Sequence, residues 1–202
     1  MTTWTLFDYS VGNLHSLRKA LEAAGAKAEV TQDPARLADA HVAVLPGVGA
    51  FGAVMSTLAP AREALRERHR EGRPILGVCI GQQVMYDGSE ESPGVAGLGL
   101  LPGTVQRLPA SAGKVPHMGW NGLDGARGEL FEGVAPDAFV YYVHSYACPP
   151  DAHTVATTRY GTVFSAALRS GNTVGVQFHP EKSSTVGARL LRNAVQILEA
   201  AA

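Results

Sequence analysis

In the first half of the chain, short apolar runs alternate with longer stretches in which apolar side chains return every three or four positions. A strand is predicted over 3–8 and a helix over 13–24, where Leu14, Leu17 and Leu21 share one face. Asn13 suits the N-cap of that helix, and Gly25 suits the position just past its end. Strands follow over 27–31 and 41–45, the second running into Pro46-Gly47-Val48-Gly49. The spacing then predicts one long helix over 51–70, ended by Gly72 with Pro74 close behind. The run 74–78 is almost wholly apolar, as suits a strand covered on both faces in the middle of a parallel sheet.

From residue 98 the pattern changes. Short strands crowd together at 104–108, 139–147, 154–159, 163–168 and 173–178, with turns at Arg159-Tyr160-Gly161-Thr162 and Ser170-Gly171-Asn172. They read as antiparallel pieces flanking the main sheet, and a helix over 186–201 follows them. The whole pattern predicts an α/β fold: a doubly wound, mostly parallel sheet with flanking helices and an added antiparallel strand region. No repeat, low-complexity tract or long linker divides the 202 residues, so 1–202 is read as one domain.

Composition narrows the classes of function. With 46% hydrophobic and 17% charged residues there is material for a packed core, the opposite of a disordered chain. Basic and acidic residues number 17 and 18, without a basic run, which leaves nucleic acid and anionic membrane surfaces without electrostatic support. No apolar run reaches the ~18–20 residues that cross a bilayer. The first ten residues lack a basic segment ahead of a long apolar one, so a cytoplasmic protein is expected. Cys79 and Cys148 are too few for a disulfide framework and too far apart for a zinc motif, so no metal site is expected.

Three segments carry chemistry. Gly77-Val78-Cys79-Ile80-Gly81 has the form of a nucleophile elbow: a strand, a tight turn bearing the nucleophile, small residues two positions to either side, then a helix expected to begin within 82–86. A helix N-terminus aimed at the thiol would favour thiolate. In His179-Pro180-Glu181, proline favours an extended backbone at the residue before it, and alternate side chains of an extended segment share one side. The carboxylate can then orient the imidazole as a general base for a cysteine. Pro46-Gly47-Val48-Gly49, at the carboxyl end of a strand, can point N–H groups at an oxyanion together with that of Ile80. Taken singly, each has a plainer reading: a buried structural cysteine, a solvated ion pair, an ordinary turn. Cys148 reads as structural, and His15, His41, His69 and His153 read as surface or packing histidines.

In this order the three segments resemble the class I (triad) glutamine amidotransferases over essentially the whole chain. The resemblance narrows to the glutaminase subunits of imidazole glycerol phosphate synthases. It is carried by the blocks from Asp8 to Leu14, Leu45 to Phe51, Lys114 to Asn121, Tyr142 to Tyr146 and Gln177 to Ser183. Lys114-Val115-Pro116-His117-Met118-Gly119-Trp120-Asn121 discriminates best, because relatives share the triad. The resemblance implies that Cys79, His179 and Glu181 hydrolyse L-glutamine without a metal or organic cofactor. It assigns oxyanion and substrate contacts to Gly47, Val48, Gly49, Ile80, Gln83, Glu91, His144, Ser145 and Tyr146. It also implies a (βα)₈-barrel cyclase subunit as partner, met by Asn13, His117, Met118, Trp120, Asn121 and Lys182. His144 lacks an adjacent carboxylate and is not the expected base. Two departures stand out: Ser10 where such chains usually have glycine, and Gln82 where methionine is common. Three other readings compete: the glutaminase of a different synthase, a non-catalytic regulator of the same fold, and a cysteine peptidase on that fold.

Overall fold

A computed structural model describes residues 2–10 and 14–201. The first half runs β1 (Thr3–Phe7), α1 (His15–Ala23), β2 (Lys27–Thr31), α2 (Pro34–Asp39), β3 (Val42–Leu45), α3 (Phe51–Leu58), α4 (Arg62–Arg70), β4 (Ile75–Val78) and α5 (Ile80–Gln83). The second runs β5 (Gly88–Ser89), β6 (Thr104–Arg107), β7 (His117–Gly122), β8 (Phe139–His144), β9 (Tyr146–Ala147), β10 (Thr154–Tyr160), β11 (Thr162–Ser170), β12 (Thr173–Val176) and α6 (Ser184–Glu199).

Seven strands form one sheet in the order β10-β11-β12-β4-β3-β1-β2. From β2 across to β12 all neighbours are parallel, and β11 reverses against both β12 and β10. β3, β4 and β12 are buried along their whole length. Successive side chains on a strand face opposite ways. Val42, Val44, Leu76 and Val78 therefore pack with Leu17 and Leu21 of α1 and Leu190 and Leu191 of α6. Ala43, Leu45 and Ile75 pack on the other face with Leu37, Val54, Leu58 and Leu65 of α2, α3 and α4. Beside the sheet, β7 and β8 pair as an antiparallel ribbon.

The structure corrects several expectations. The predicted helix over 51–70 is two helices joined by a 3-10 turn, Ala59–Ala61. Pro60 lies in that turn, lacks an N–H and crowds the carbonyl four residues back, so the first helix cannot run through it. α2 was not predicted, although Asp33 caps it by accepting from the Ala35 N–H at 2.9 Å and Pro34 occupies its first turn. The segment 173–178 does not flank the sheet. Its strand, β12, lies inside the sheet, parallel to β4. The predicted strand 139–147 is interrupted at Ser145. The N-cap role of Asn13 lies outside the described residues.

Arg68 of α4 holds the amino ends of two central strands. It is 1% exposed, and its guanidinium donates to the carbonyls of Pro74 at 3.0 Å, Ala38 at 3.1 Å, Ala40 at 2.6 Å and His41. Burial pulls its pKa down to about 10, so it is still charged at neutral pH. Arg68→Met would remove a charged donor from all four carbonyls. Pro74 keeps the Ala43 N–H at 3.1 Å and Ala40 keeps Arg73 at 3.3 Å. Each carbonyl left unpaired costs about 1–3 kcal/mol before relaxation. A net loss of about 3 kcal/mol is expected, which lowers Tm by roughly 6–12 °C in a chain of this size. Urea and thermal unfolding would measure it; an unchanged midpoint would remove the guanidinium as a tie between the strands.

Candidate active site

Because β3, β4 and β12 are adjacent and parallel, their carboxyl ends lie side by side. The residues that follow them, Gly47–Gly49, Cys79 and His179, are brought together there. Cys79 adopts φ 50° and ψ −110°, a left-handed backbone that costs a non-glycine residue roughly 1–3 kcal/mol. Its N–H is tied to the Val176 carbonyl at 2.7 Å. The small residues around it are a matter of space. A β-carbon on Gly81 would stand 1.9 Å from the Leu45 carbonyl oxygen, and one on Gly77 would stand 2.6 Å from that of Gly81. A β-carbon on Gly47 would come within 2.8 Å of His179 Cε1 and 3.1 Å of Cys79 Cβ.

Two details differ from expectation. The helix after Cys79 starts at once, at Ile80, and has four residues, so it brings only a fraction of a long helix's dipole to the sulfur. Its leading N–H groups still lack partners within the helix, and that of Ile80 adjoins the nucleophile. His179 and Glu181 are not joined by a continuing strand. β12 ends at Val176, His179 is extended, and Pro180–Lys182 forms a 3-10 turn that carries the carboxylate back to the ring.

Glu181 Oε1 lies 2.8 Å from His179 Nδ1, which leaves Nε2 for Cys79. Glu181 Oε2 is buried and takes no hydrogen bond from the described residues. The backbone of His179 is pinned by β8, since its N–H donates to the Tyr141 carbonyl at 2.9 Å. The Ser183 hydroxyl completes the link, donating to the His179 carbonyl and accepting from the Tyr141 N–H. Burial alone would strip the proton from His179. Hydrogen bonds and charge interactions with Cys79 and Glu181 outweigh it and push the pKa up to about 10. The resting state this favours is an imidazolium between a carboxylate and the cysteine sulfur.

A cavity of about 260 Å³ opens beside Cys79. Gly49, Ile80, Gln83 and Glu91 line one side, and His144, Ser145 and Tyr146 the other. Pro116 and Val143 also line it and were not singled out from sequence. Gly47 and Val48 are not on its wall: Gly47 fills the gap behind His179 and Cys79, and Val48 packs against the core around α3. Glu91 spends Oε2 on the Phe51 N–H at 2.8 Å and has its other oxygen for a ligand. Gln83 donates from Nε2 to Tyr146 O at 2.8 Å and to Gln177 Oε1 at 3.0 Å, which leaves its own carbonyl oxygen for a ligand. The opposite end of the Gln177 amide, Nε2, stands 3.6 Å from the Cys79 sulfur. A cysteine sulfur on a strained turn, a charged imidazole and a cavity presenting a carboxylate oxygen fit acyl transfer from a small amide that carries an ammonium group.

The neighbouring histidines are of another kind. His144 Nδ1 lies 2.9 Å from Tyr146 O and must donate to it, so its Nε2 accepts from His117 Nδ1 at 3.0 Å. Burial, reinforced by nearby His117 and His179, drives the His144 pKa down to about 3, and burial drives that of His117 to about 4. Both rings are therefore uncharged at neutral pH, and each commits its single N–H to the hydrogen bond just described.

His117 corrects the expected partner surface. In the ribbon His117, Gly119 and Asn121 pair with His144, Tyr142 and Val140, while Met118, Trp120 and Gly122 pair with Val143, Tyr141 and Phe139. Strand alternation puts the two sets on opposite faces. His117 is buried, stacked against Tyr142 and Tyr160 at centroid distances of 4.8 and 4.0 Å. Met118, Trp120 and Phe139 stand 62%, 51% and 56% exposed, with Lys182 Nζ 5.9 Å from the centre of the Tyr141 ring. Asn121 is half-buried, and Asn13 lies outside the described residues.

Other features recede. A cleft of about 400 Å³ near Glu129, Arg169 and Asn193 is larger but carries no nucleophile. Burial pushes the Cys148 thiol pKa up, which keeps it inert. Among the described residues no cluster of His, Cys, Asp and Glu could hold a metal ion, and no helix is long and apolar enough to cross a membrane.

The profile of the family "Glutamine amidotransferase class-I" matches residues 5–197. An imidazole glycerol phosphate synthase subunit HisH from Methanothermobacter thermautotrophicus is 49% identical over 197 residues, covering 96% of this chain and 98% of the relative. The protein of the same description from Moorella thermoacetica is 47% identical over 193 residues, covering 93% and 91%. Among solved structures, one described as a glutamine amidotransferase superposes with a TM-score of 0.76 at 19% identity, over 98% of this chain and 100% of the other. That likeness supports the fold.

The charged state of His179 is open to measurement. Its Cε1 proton shift in NMR should show the ring protonated through neutral pH and releasing its proton only toward about pH 10. That value lies above the ordinary histidine value of about 6.5. The proton therefore stabilises the fold in full below about 6.5, and this contribution is lost as pH rises through about 10. Glu181→Gln should lower the midpoint. An ordinary midpoint in the unmodified chain would rule out the ion pair.

Proposed function

This chain belongs to the class I glutamine amidotransferases, and on that premise we propose that it is the glutaminase subunit of an imidazole glycerol phosphate synthase. It hydrolyses L-glutamine to glutamate and ammonia. The ammonia passes to a (βα)₈-barrel cyclase partner, which forms imidazole glycerol phosphate and AICAR in histidine biosynthesis. The observation that carries this reading is the ring of His179, held by Glu181 at 2.8 Å next to a cysteine on a strained elbow, beside a cavity that presents a carboxylate oxygen.

Each residue then has a task. Glutamine enters with its α-ammonium toward the free oxygen of Glu91 and its side-chain amide over the sulfur. The Cys79 thiolate attacks the carboxamide carbon, and the developing oxyanion meets the N–H of Ile80 and an N–H near Val48. His179 gives its proton to the departing nitrogen, so ammonia leaves and a thioester remains. The now neutral ring takes a proton from water as the water oxygen attacks the thioester. Glutamate is released, and thiolate and imidazolium are restored together. Glu181 orients the ring and balances its charge throughout. The exposed face of Met118, Trp120 and Phe139, with Lys182 beside it, is read as the docking surface for the barrel. Residues 1–202 act as one glutaminase unit.

Cys79→Ala should abolish glutamine-dependent synthesis in the complex while leaving synthesis from ammonium salts intact, because only ammonia release needs the sulfur. His179→Ala should be nearly as damaging. Glu181→Gln should be milder, since an amide oxygen can still accept from Nδ1 and orient the ring. Normal product formation from glutamine by the Cys79→Ala complex would defeat the nucleophile assignment.

The isolated chain should also be a poor glutaminase. Gly49 sits at φ 101°, and Gly47 has no side chain to lock the peptide it shares with Val48. If the free chain favours the orientation of that peptide that misses the oxyanion, a thousandfold suppression needs only about 4 kcal/mol. Docking would relieve it by binding the active orientation more tightly. Glutamate release should rise from the chain alone, through the complex, to the complex with nucleotide ligand; equal rates in all three would defeat this gating.

A further inference from the structure

Of the other two triad members only His179 reaches the Cys79 sulfur. Two further groups face it: the Val143 carbonyl oxygen at 4.0 Å, which can only accept, and Gln177 Nε2, a donor, at 3.6 Å. Gln177 is 0% exposed and is not on the wall of the ligand cavity, so its amide faces protein at both ends. Which end meets the sulfur is fixed by a chain of obligatory donors and acceptors that begins at the Tyr146 carbonyl, a group that can only accept. Gln83 must therefore turn Nε2 toward it at 2.8 Å. The same Nε2 offers its second hydrogen to Gln177 at 3.0 Å, which must meet it with Oε1. That leaves the Gln177 NH₂ facing Cys79.

The chain extends the other way from the same carbonyl. His144 donates to it from Nδ1 and so must accept from His117 Nδ1, and His117 Nε2 then accepts from Asn121 Nδ2 at 3.3 Å. Asn121 confirms its own sense by donating to the Arg159 carbonyl at 3.1 Å. Both lone pairs of the Tyr146 oxygen are thus occupied, one by each branch, and neither amide nor imidazole can flip without setting two acceptors or two donors face to face.

Resting on the glutaminase reading, we propose that Gln177 is a further catalytic residue: it donates a hydrogen bond to the Cys79 thiolate, with its sense locked by Gln83 and the Tyr146 carbonyl. His179 supplies charge and a proton, whereas Gln177 supplies a neutral donor that never leaves the sulfur. The bond matters most in the free enzyme and in the thiolate released at the end of each cycle, and least in the thioester, whose sulfur is a weak acceptor. Such a donor stabilises the sulfur in the state that attacks and aims it from the side away from the cavity. Its loss should therefore weaken the thiolate more than the binding of glutamine.

The test is alkylation of Cys79 by iodoacetamide in the full-length chain, followed by mass spectrometry, in the unmodified protein and in Gln177→Met. The methionine keeps the volume and removes both ends of the amide. Alkylation at neutral pH should slow about tenfold, in line with a hydrogen bond to a charged group. The deficit should shrink toward alkaline pH, where the sulfur is deprotonated without help. In the assembled complex, kcat for glutamine should fall with KM within about twofold. The opposing account, that Gln177 only braces Gln83, predicts a raised KM with alkylation unchanged, and that result would overturn the proposal. If Gln177→Met does not fold by circular dichroism, Gln177→Glu serves: it still accepts from Gln83 but, when ionised, donates nothing to the sulfur. It too should slow alkylation at neutral pH, and a normal rate would refute the assignment. An unmodified complex that released no glutamate would instead count against the glutaminase reading itself.

Discussion

The site depends on the absence of three β-carbons. The carboxyl ends of β3, β4 and β12 approach so closely that a methyl at Gly47, Gly77 or Gly81 would overlap the His179 ring, the Gly81 carbonyl or the Leu45 carbonyl. That crowding holds Cys79 in a backbone conformation it would not choose, and it brings the sulfur and the imidazole together. The parallel sheet makes the crowding possible, because it delivers three loops to one edge. Arg68 anchors β3 and β4 at the opposite edge, so the strands cannot slide apart to relieve the strain.

The ribbon of β7 and β8 gives the site its second support. Through Tyr141 it pins the backbone of His179, and through His144 it holds the Tyr146 carbonyl that orients Gln83. The other side of the same two strands is the exposed apolar face. That face is therefore connected to both His179 and the cavity beside Cys79 without crossing the core of the main sheet. Two discrete hydrogen-bond arrangements would be needed for a switch, and the neutral pair of His117 and His144 has only one consistent sense.

Much of this was legible from the residues. The elbow, the His179–Glu181 pair and the alternation of strands and helices are local patterns, and local patterns survive in sequence. What escaped is what needs the third dimension. The break at Pro60 was visible as a proline inside a helical stretch, but the helical period on both sides of it was read as one element. α2 announced itself through Asp33-Pro34 but spans six residues, too few to set up a clear period. The strand His117–Gly122 contains two glycines and an asparagine, and its partner lies 17 residues further on. Once β7 is seen as a strand, period-two alternation turns His117 inward and leaves Met118 and Trp120 outside. Gln177 opens one of the matched blocks but shows no role there, since the sense of its amide is set by Gln83 and the Tyr146 carbonyl from other segments. Ser10, the departure from glycine, stands at φ 61° with its N–H held by Asp8 at 2.8 Å, which shows the backbone a glycine would adopt freely.

The interleaving of faces in the ribbon bears on how such a chain can change over evolutionary time. Odd positions from 117 to 121 face the hydrogen-bond chain, and even positions face outward, so point substitutions can alter the outer surface while leaving the interior untouched. Insertion or deletion of one residue is a different matter. It exchanges the two sets wholesale, putting an imidazole on the surface and a tryptophan against Tyr142. Substitutions on the outer face are thus cheap, whereas a one-residue change in the length of this strand would disturb both faces at once.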